Sequence, residues 1–301
     1  VMTLHNFRTV CASAMLLRED RSCTLCLDRR SVLPALRHAC YRGSRVATAP
    51  LALSIALHRA LGTWRRGVDA YVALTGFQRD VFRRAGFPGD ALHVKPNAYD
   101  TPLVPAAWPD RDGRVLFVGR IGREKGVMHL LEAWRRWGSD APLGEGPELE
   151  AARRFVADHS LSSTVRLRGS VDFTDVQSLM VGSRLLVVPS IWFEGYPMVI
   201  REAFALGVPV AASDLGSLAD LVDESVGRRF RPGDPGDLLG VVRQLWSEAG
   251  ALASMSVAAR ARYERHLAPI PNLERLMTIY AAARARRTSR LGGATAAEHG
   301  R

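Results

Sequence analysis

Apolar positions along the chain follow two alternating rhythms. Residues 68–74 read as a strand, Thr75 stands where a helix cap would, and residues 77–85 carry helical spacing that Gly86 closes. A further short strand is predicted over residues 91–94, leading into Lys95-Pro96-Asn97. The pattern restarts at Val115-Leu116-Phe117-Val118, a run of buried type, followed by a polar loop over residues 119–126 and a helix with Val127, Leu130, Leu131 and Trp134 on one face. Strands are then predicted over residues 164–167, 185–188 and 208–212, between helices over residues 148–159, 176–181 and 197–206. Apolar strands alternating with amphipathic helices predict a parallel sheet covered on both faces, an α/β, doubly wound fold.

Residues 98–113, rich in Pro, Ala and Asp and without periodicity, read as a linker. This divides the chain into a first unit over residues 1–97, a second over 114–245, C-terminal helices over 246–286 and a flexible tail over 287–301. The run Val1 to Asn6 predicts a strand, and a strand with no leader or cap ahead of it leads us to expect further residues upstream. The longest uncharged apolar stretch, residues 47–57, contains Pro50 and is short of the ~20 residues that span a bilayer. With no export signal visible either, the expected location is the cytoplasm.

Charge changes this picture less than its size suggests. The 41 basic residues exceed the 30 acidic ones by 11, yet Lys95 and Lys125 are the only lysines. So strong an arginine bias, spread among acids as in Arg18-Glu19-Asp20, reads as genome composition rather than a nucleic-acid surface, which would cluster its charge. Nucleic acid is therefore not expected as a partner. The basic surface is expected to suit peripheral docking at the inner face of the cell membrane.

Three loops of the second unit stand where parallel sheets bind ligands, at the carboxyl ends of strands. The first is Gly119-Arg120-Ile121-Gly122-Arg123-Glu124-Lys125-Gly126, where Arg120 with Lys125 on a glycine-bearing loop suits a diphosphate and the alternative is a solvated turn. The second runs from Pro189 to Ala203. In it Pro197 suits the first helical position, leaving the amides of Met198 and Val199 at a positive helix end, and Glu194 and Glu202 are separated by seven residues, so they reach different parts of an elongated ligand. The third, Ser213-Asp214-Leu215-Gly216-Ser217, reads as a capping turn or a polar wall. Asp110-Arg111-Asp112, in the linker ahead of a strand, reads as a solvated turn and not a metal site.

These residues resemble the retaining glycosyltransferases of family 4, the group 1 glycosyltransferases with the GT-B fold. The likeness rests on Phe117-Val118-Gly119-Arg120 with Glu124-Lys125-Gly126, on Gly144-Glu145-Gly146-Pro147, on Val165 to Gly169 and on the block from Val188 to Val222, with a fainter match from His5 to Asn97. It implies two Rossmann-like domains, the N-terminal one truncated, and transfer of a hexose from a UDP or GDP sugar to a glycan or lipid-linked acceptor in polysaccharide or cell-surface glycan biosynthesis. It also implies retention of configuration without a catalytic metal. By the resemblance, Arg120 and Lys125 hold the diphosphate, Glu202 the ribose, and Glu194 faces the donor sugar. The backbones of Gly119, Gly169, Gly195, Tyr196, Met198 and Val199 approach sugar and phosphates, and His5 lies near the sugar or acceptor.

Cys11, Cys23, Cys26 and Cys40 all lie early, and the Cys23–Cys26 spacing is that of a zinc ribbon. A structural zinc and buried thiols are both expected readings of them. Two features depart from the family: few residues precede Asn97 for a whole Rossmann-like unit, and Ser139-Asp140-Ala141-Pro142-Leu143 is a poor buried strand because Pro142 lacks a ladder donor. The expectation is a sheet that has lost a strand, or a shortened helix beside it, with reduced stability. The rival functions are an inactive nucleotide-sugar-binding protein and a nucleic-acid-binding protein.

Overall fold

A computed structural model describes all residues except 121, 138–140, 144–148 and 299–301, and the side chains of all but those, 141–143, 149 and 291–298. The Gly144-Glu145-Gly146-Pro147 motif lies outside the described residues. The chain divides into two units, one of residues 1–18, 23–97 and 270–301 and the other of residues 19–22 and 98–269.

In the first unit β1 (Met2–Leu4), β2 (Tyr71–Ala73) and β3 (Leu92–Val94) form a parallel sheet in that order, Met2 opposite Tyr71 and Tyr71 opposite Leu92. Parallel strands need crossovers. The one from β1 to β2 contains helix α1 (Arg45–Ala60), whose cap Ser44 accepts from the Ala47 amide at 3.2 Å. The one from β2 to β3 contains α2 (Gly76–Arg84), where Thr75 accepts from the Gln78 amide at 3.1 Å, the cap the sequence predicts.

The second unit contains α3 (Val127–Trp137), α4 (Leu149–Asp158), α5 (Phe173–Gly182), α6 (Met198–Ala205), α7 (Pro235–Ser247) and α8 (Ala249–His266). Its main sheet is parallel and runs β9 (Gly227–Phe230), β8 (Val210–Ser213), β7 (Leu185–Val188), β4 (Val115–Leu116). Strand periodicity sorts its side chains onto two faces. Val115, Leu185, Val187 and Ala211 pack with Leu130, Trp134 and Val242 from α3 and α7. Leu116, Leu186, Val188 and Ala212 pack with Ile200, Phe204 and Ala259 from α6 and α8. This is the doubly wound arrangement read from the apolar runs.

Three expectations need correction. The poor strand does form: β5 (Ala141–Leu143) pairs in parallel with β6 (Val165–Leu167), Pro142 opposite Arg166. A two-stranded pair leaves one edge of each strand unpaired, and a residue without a donor is tolerated there. Residues 246–286 do not form a block of their own, because α8 contributes Leu252 and Met255 to the second unit's core while the chain from Ile270 onward belongs to the first unit. The tail expected from residue 287 continues helix α9 (Pro269–Glu298), with Arg286 paired to Asp90 and Arg290 to Asp69 at 2.9 Å.

Candidate functional site

The loop after β4 and the loop after β7 are joined through backbone. The first turns through a short 3-10 helix, Arg123–Lys125, and leaves it at Gly126, whose φ is +71°. A Cβ at Gly126 would stand 2.0 Å from the Pro189 carbonyl oxygen, so glycine is required both by its backbone angle and by close approach. Two residues beyond Pro189, the Ile191 amide donates to the Glu124 carbonyl at 2.9 Å.

This junction sets Lys125 opposite Glu194. The Lys125 Nζ donates to both carboxylate oxygens at 2.9 Å, the Ser190 hydroxyl bonds to the same carboxylate, and the ammonium lies 5.7 Å from the centre of the Trp192 ring. Glu194 is 5% exposed, so these partners take the place of the water that burial removes. Arg120 is exposed and pairs with Glu124 one helical turn on. In this arrangement Arg120 and Lys125 are each held by a carboxylate. The glutamates at 124 and 194 therefore share the cations with any anion that arrives.

Helix α6 begins at Met198, with Pro197 in the capping position rather than the first helical one. The one-residue shift leaves Met198 and Val199 as its first two residues, their amides at the positive end of the helix. Glu202 is half-buried on the same helix. Burial pushes its carboxyl up, and the Arg201 guanidinium, 3.9 Å away, pulls it back. Arg201 is itself anchored on the Ala98 carbonyl and lies over the Tyr99 ring at 5.2 Å. Burial also pushes the Tyr196 phenol up.

The third loop does more than cap. Gly216, at φ +55°, precedes the short helix Ser217–Leu221 without a side-chain cap bond, and the buried Ser217 hydroxyl donates to the Gly195 carbonyl at 3.2 Å. Gly195, next to Glu194, is thereby fixed from the strand alongside. Gly169 turns at φ +70° beyond β6, with open space where a Cβ would be.

Of the residues singled out from the sequence, Gly119, Arg120, Lys125, Glu194, Gly195, Tyr196, Met198, Val199 and Glu202 follow β4 or β7 in the second unit. His5 is exposed at the carboxyl end of β1 in the first unit. Sequence reasoning missed Ser190, Trp192 and the pairing role of Glu124. The spacing of Glu124 four residues after Arg120 was the available signal for the last.

Of the two readings of the cysteines the structure does not support zinc, and the Asp-x-Asp turn departs from expectation. Among the described residues no group of three or more His, Cys, Asp or Glu is arranged to hold a metal ion, so the structure does not support zinc at Cys11, Cys23, Cys26 and Cys40. Cys26 and Cys40 pack against the apolar cluster of Ala12, Ala35 and Ile55, and the Cys11 sulfur lies 3.2 Å from the Ser13 hydroxyl. Burial pushes the Cys26 thiol up to about 11. In Asp110-Arg111-Asp112 the acids are exposed, but Arg111 is buried and donates to the Ser183 and Leu206 carbonyls at 2.8 and 2.7 Å. That segment is a structural tie rather than a solvated turn.

With this geometry in hand, the family model described as "Glycosyl transferases group 1" matches residues 104–262, more than half of the chain. Glycogen synthase of Mycobacterium tuberculosis is 28% identical over 237 residues, which are 75% of this chain and 57% of that protein. The chain thus spans little more than half the length of the curated relatives it matches. Among solved structures, sucrose-phosphate synthase from Thermosynechococcus elongatus superposes with a TM-score of 0.67 at 21% identity, over 77% of this chain and 62% of that one. The Anabaena protein HepE in complex with UDP gives 0.66 at 19%, over 78% of this chain and 67% of that one. At such identities these likenesses show the fold, the α/β GT-B type with parallel sheets. Among the described residues no helix is long and apolar enough to cross a membrane.

Proposed function

The chain belongs to the glycosyl transferases group 1 family, and from that premise we propose that it is a retaining family 4 enzyme moving a hexose from a UDP or GDP sugar to a glycan or lipid-linked acceptor. Its place is polysaccharide or cell-surface glycan biosynthesis in the cytoplasm. The observation that carries the reading is the Lys125–Glu194 pair, an ammonium held by both oxygens of a buried carboxylate on two loops locked at Gly126 and Pro189. A cation fixed in this way is already oriented when a phosphate arrives, so it stabilises developing charge without reorganising. HepE, which shares the fold, was solved with UDP, and that supports a nucleotide donor here.

In this reading Arg120 leaves Glu124 for the diphosphate and Lys125 turns part of its charge toward it. The amides of Met198 and Val199 and the backbones of Gly119, Gly169, Gly195 and Tyr196 complete the polar wall. Breaking the glycosyl–phosphate bond leaves negative charge on the diphosphate and positive character on the sugar ring. The cations serve the first, and Glu194, on the sugar side, serves the second. Glu202 accepts from the ribose hydroxyls, and His5 is the first unit's contribution to sugar or acceptor. Fixed cations and amides make a catalytic metal unnecessary.

The test is thermal melting of the purified chain with UDP, GDP and their sugars, followed by turnover of the donor that stabilises it. Arg120→Ala and Glu202→Ala should each weaken that nucleotide by about 1 to 3 kcal/mol. Melting curves unmoved by every nucleoside diphosphate would sink the assignment, and binding without turnover would favour an inactive nucleotide-sugar-binding protein.

A further inference from the structure

Helix α1 carries two apolar faces. One, with Thr48, Ala52 and Ile55, is buried in the first unit. On the opposite side, at 100° per residue, lie Val46, Ala49, Pro50, Leu53 and Leu57, and Ser54 is the one polar side chain among the exposed positions from Val46 to Leu57. Val46 is 85% exposed and Leu53 67%, and Leu61 and Leu33 are exposed as well. Large apolar side chains scattered singly need no explanation, but a row of them along a helix of about 24 Å marks a surface that meets something apolar.

The charge around the row says what that partner is. Residues 29–68 hold eight arginines and no aspartate or glutamate. At the start of α1, Arg29, Arg37, His38 and Arg45 surround a cavity of about 790 Å³ that also takes in Leu33 and Leu36. At its end, His58, Arg59, Arg65 and Arg66 line a second hollow with Trp64. A nucleic acid would account for the arginines but gives the leucines nothing to bury in, and an apolar protein face would account for the leucines but not for eight arginines in a stretch without acids.

We propose that the outer face of α1, with the arginines at its two ends, docks this chain on the surface of an anionic phospholipid bilayer. The helix lies in the plane of the interface, its leucines entering the acyl boundary and its arginines meeting lipid phosphates. This surface belongs to the first unit and uses none of the residues assigned to the nucleotide, so its test needs no turnover and fails or succeeds apart from the transferase reading.

The test is co-sedimentation of the full chain with vesicles of phosphatidylcholine alone and of phosphatidylcholine with phosphatidylglycerol. Binding is expected to the second kind only, to weaken with added salt, and to fall about tenfold in Leu53→Ala with Leu57→Ala. Alanine is the better helix former, so that loss is not one of folding. Arg37→Ala with Arg45→Ala should also release the chain from the anionic vesicles. The proposal is overturned if the leucine variant binds as well as the parent chain, or if vesicle charge makes no difference. It is also overturned if light scattering finds a dimer that the leucine variant dissociates, for then the row is covered by a second copy.

Discussion

Gly126 presses against Pro189 so closely that the smallest added side chain would lie 2.0 Å from a carbonyl oxygen. Gly126→Ala forces the two loops apart and adds the strain of a left-handed alanine, so it should cost about 3 kcal/mol or more and lower Tm by several degrees. Gly169→Ala has the same backbone strain with open space around it, and should cost only ~1 to 2 kcal/mol. Equal losses in paired thermal melts would show that the contact with Pro189 is unimportant.

Lys125 is bound to both oxygens of a buried carboxylate, so truncating it strikes the fold as well as the ligand. Lys125→Ala leaves Glu194 buried with Ser190 as its hydrogen-bond donor and should destabilise the chain by about 3 kcal/mol. Adding Glu194→Gln removes the stranded charge, so the double variant should be more stable than Lys125→Ala alone. A denaturant cycle over the four proteins measures this coupling, and strict additivity would rule out the pair as a stabilising unit.

Glu202 should make stability and affinity move in opposite directions with pH. Burial raises its folded pKa above the ordinary 4.5, so the folded chain holds the proton more tightly than the unfolded one. Stability contributed by this group is fully present below 4.5 and is lost as pH rises through the folded value, and Glu202→Gln should flatten that slope. A carboxylate accepts ribose hydroxyls better than a carboxylic acid does, so nucleotide affinity should rise over the same window. Calorimetric titrations at a series of pH values, beside the glutamine variant, check both signs, and a wild-type slope identical to the variant's would remove Glu202 from the account.

Cys26 should be the slow cysteine. With its thiol pushed up to about 11, it should alkylate about tenfold more slowly near neutral pH than an ordinary exposed thiol. Timed iodoacetamide labelling followed by peptide mass spectrometry reads this directly, and labelling of Cys26 at the rate of a small free thiol would contradict its burial.

The second unit was legible in sequence because its strands are covered on both faces and must be apolar throughout, as Leu185 to Val188 are. Lys125 and Glu194 stood out because they lie in loops beyond strand ends, where parallel sheets bind ligands, and Glu202 because it follows Glu194 at a set distance on the next helix. What stayed hidden depends on partners far away in the chain. Arg111 looks solvated between two acids until Ser183 and Leu206 close over it. Residues 287–298 look like a polar tail until Arg290 finds Asp69. Ala141–Leu143 looks unfit for a strand until Val165–Leu167 comes alongside it in register.

The return of α9 to the first unit has a consequence for synthesis. Ala70 and Val72, in and beside β2, are buried with Ile279 and Ala283, which leave the ribosome about two hundred residues later. The second unit, residues 98–269, emerges whole in the meantime. The unit begun before residues 98–269 is therefore completed after them, and a premature stop anywhere before Ile279 would strip apolar cover from a sheet about two hundred residues upstream.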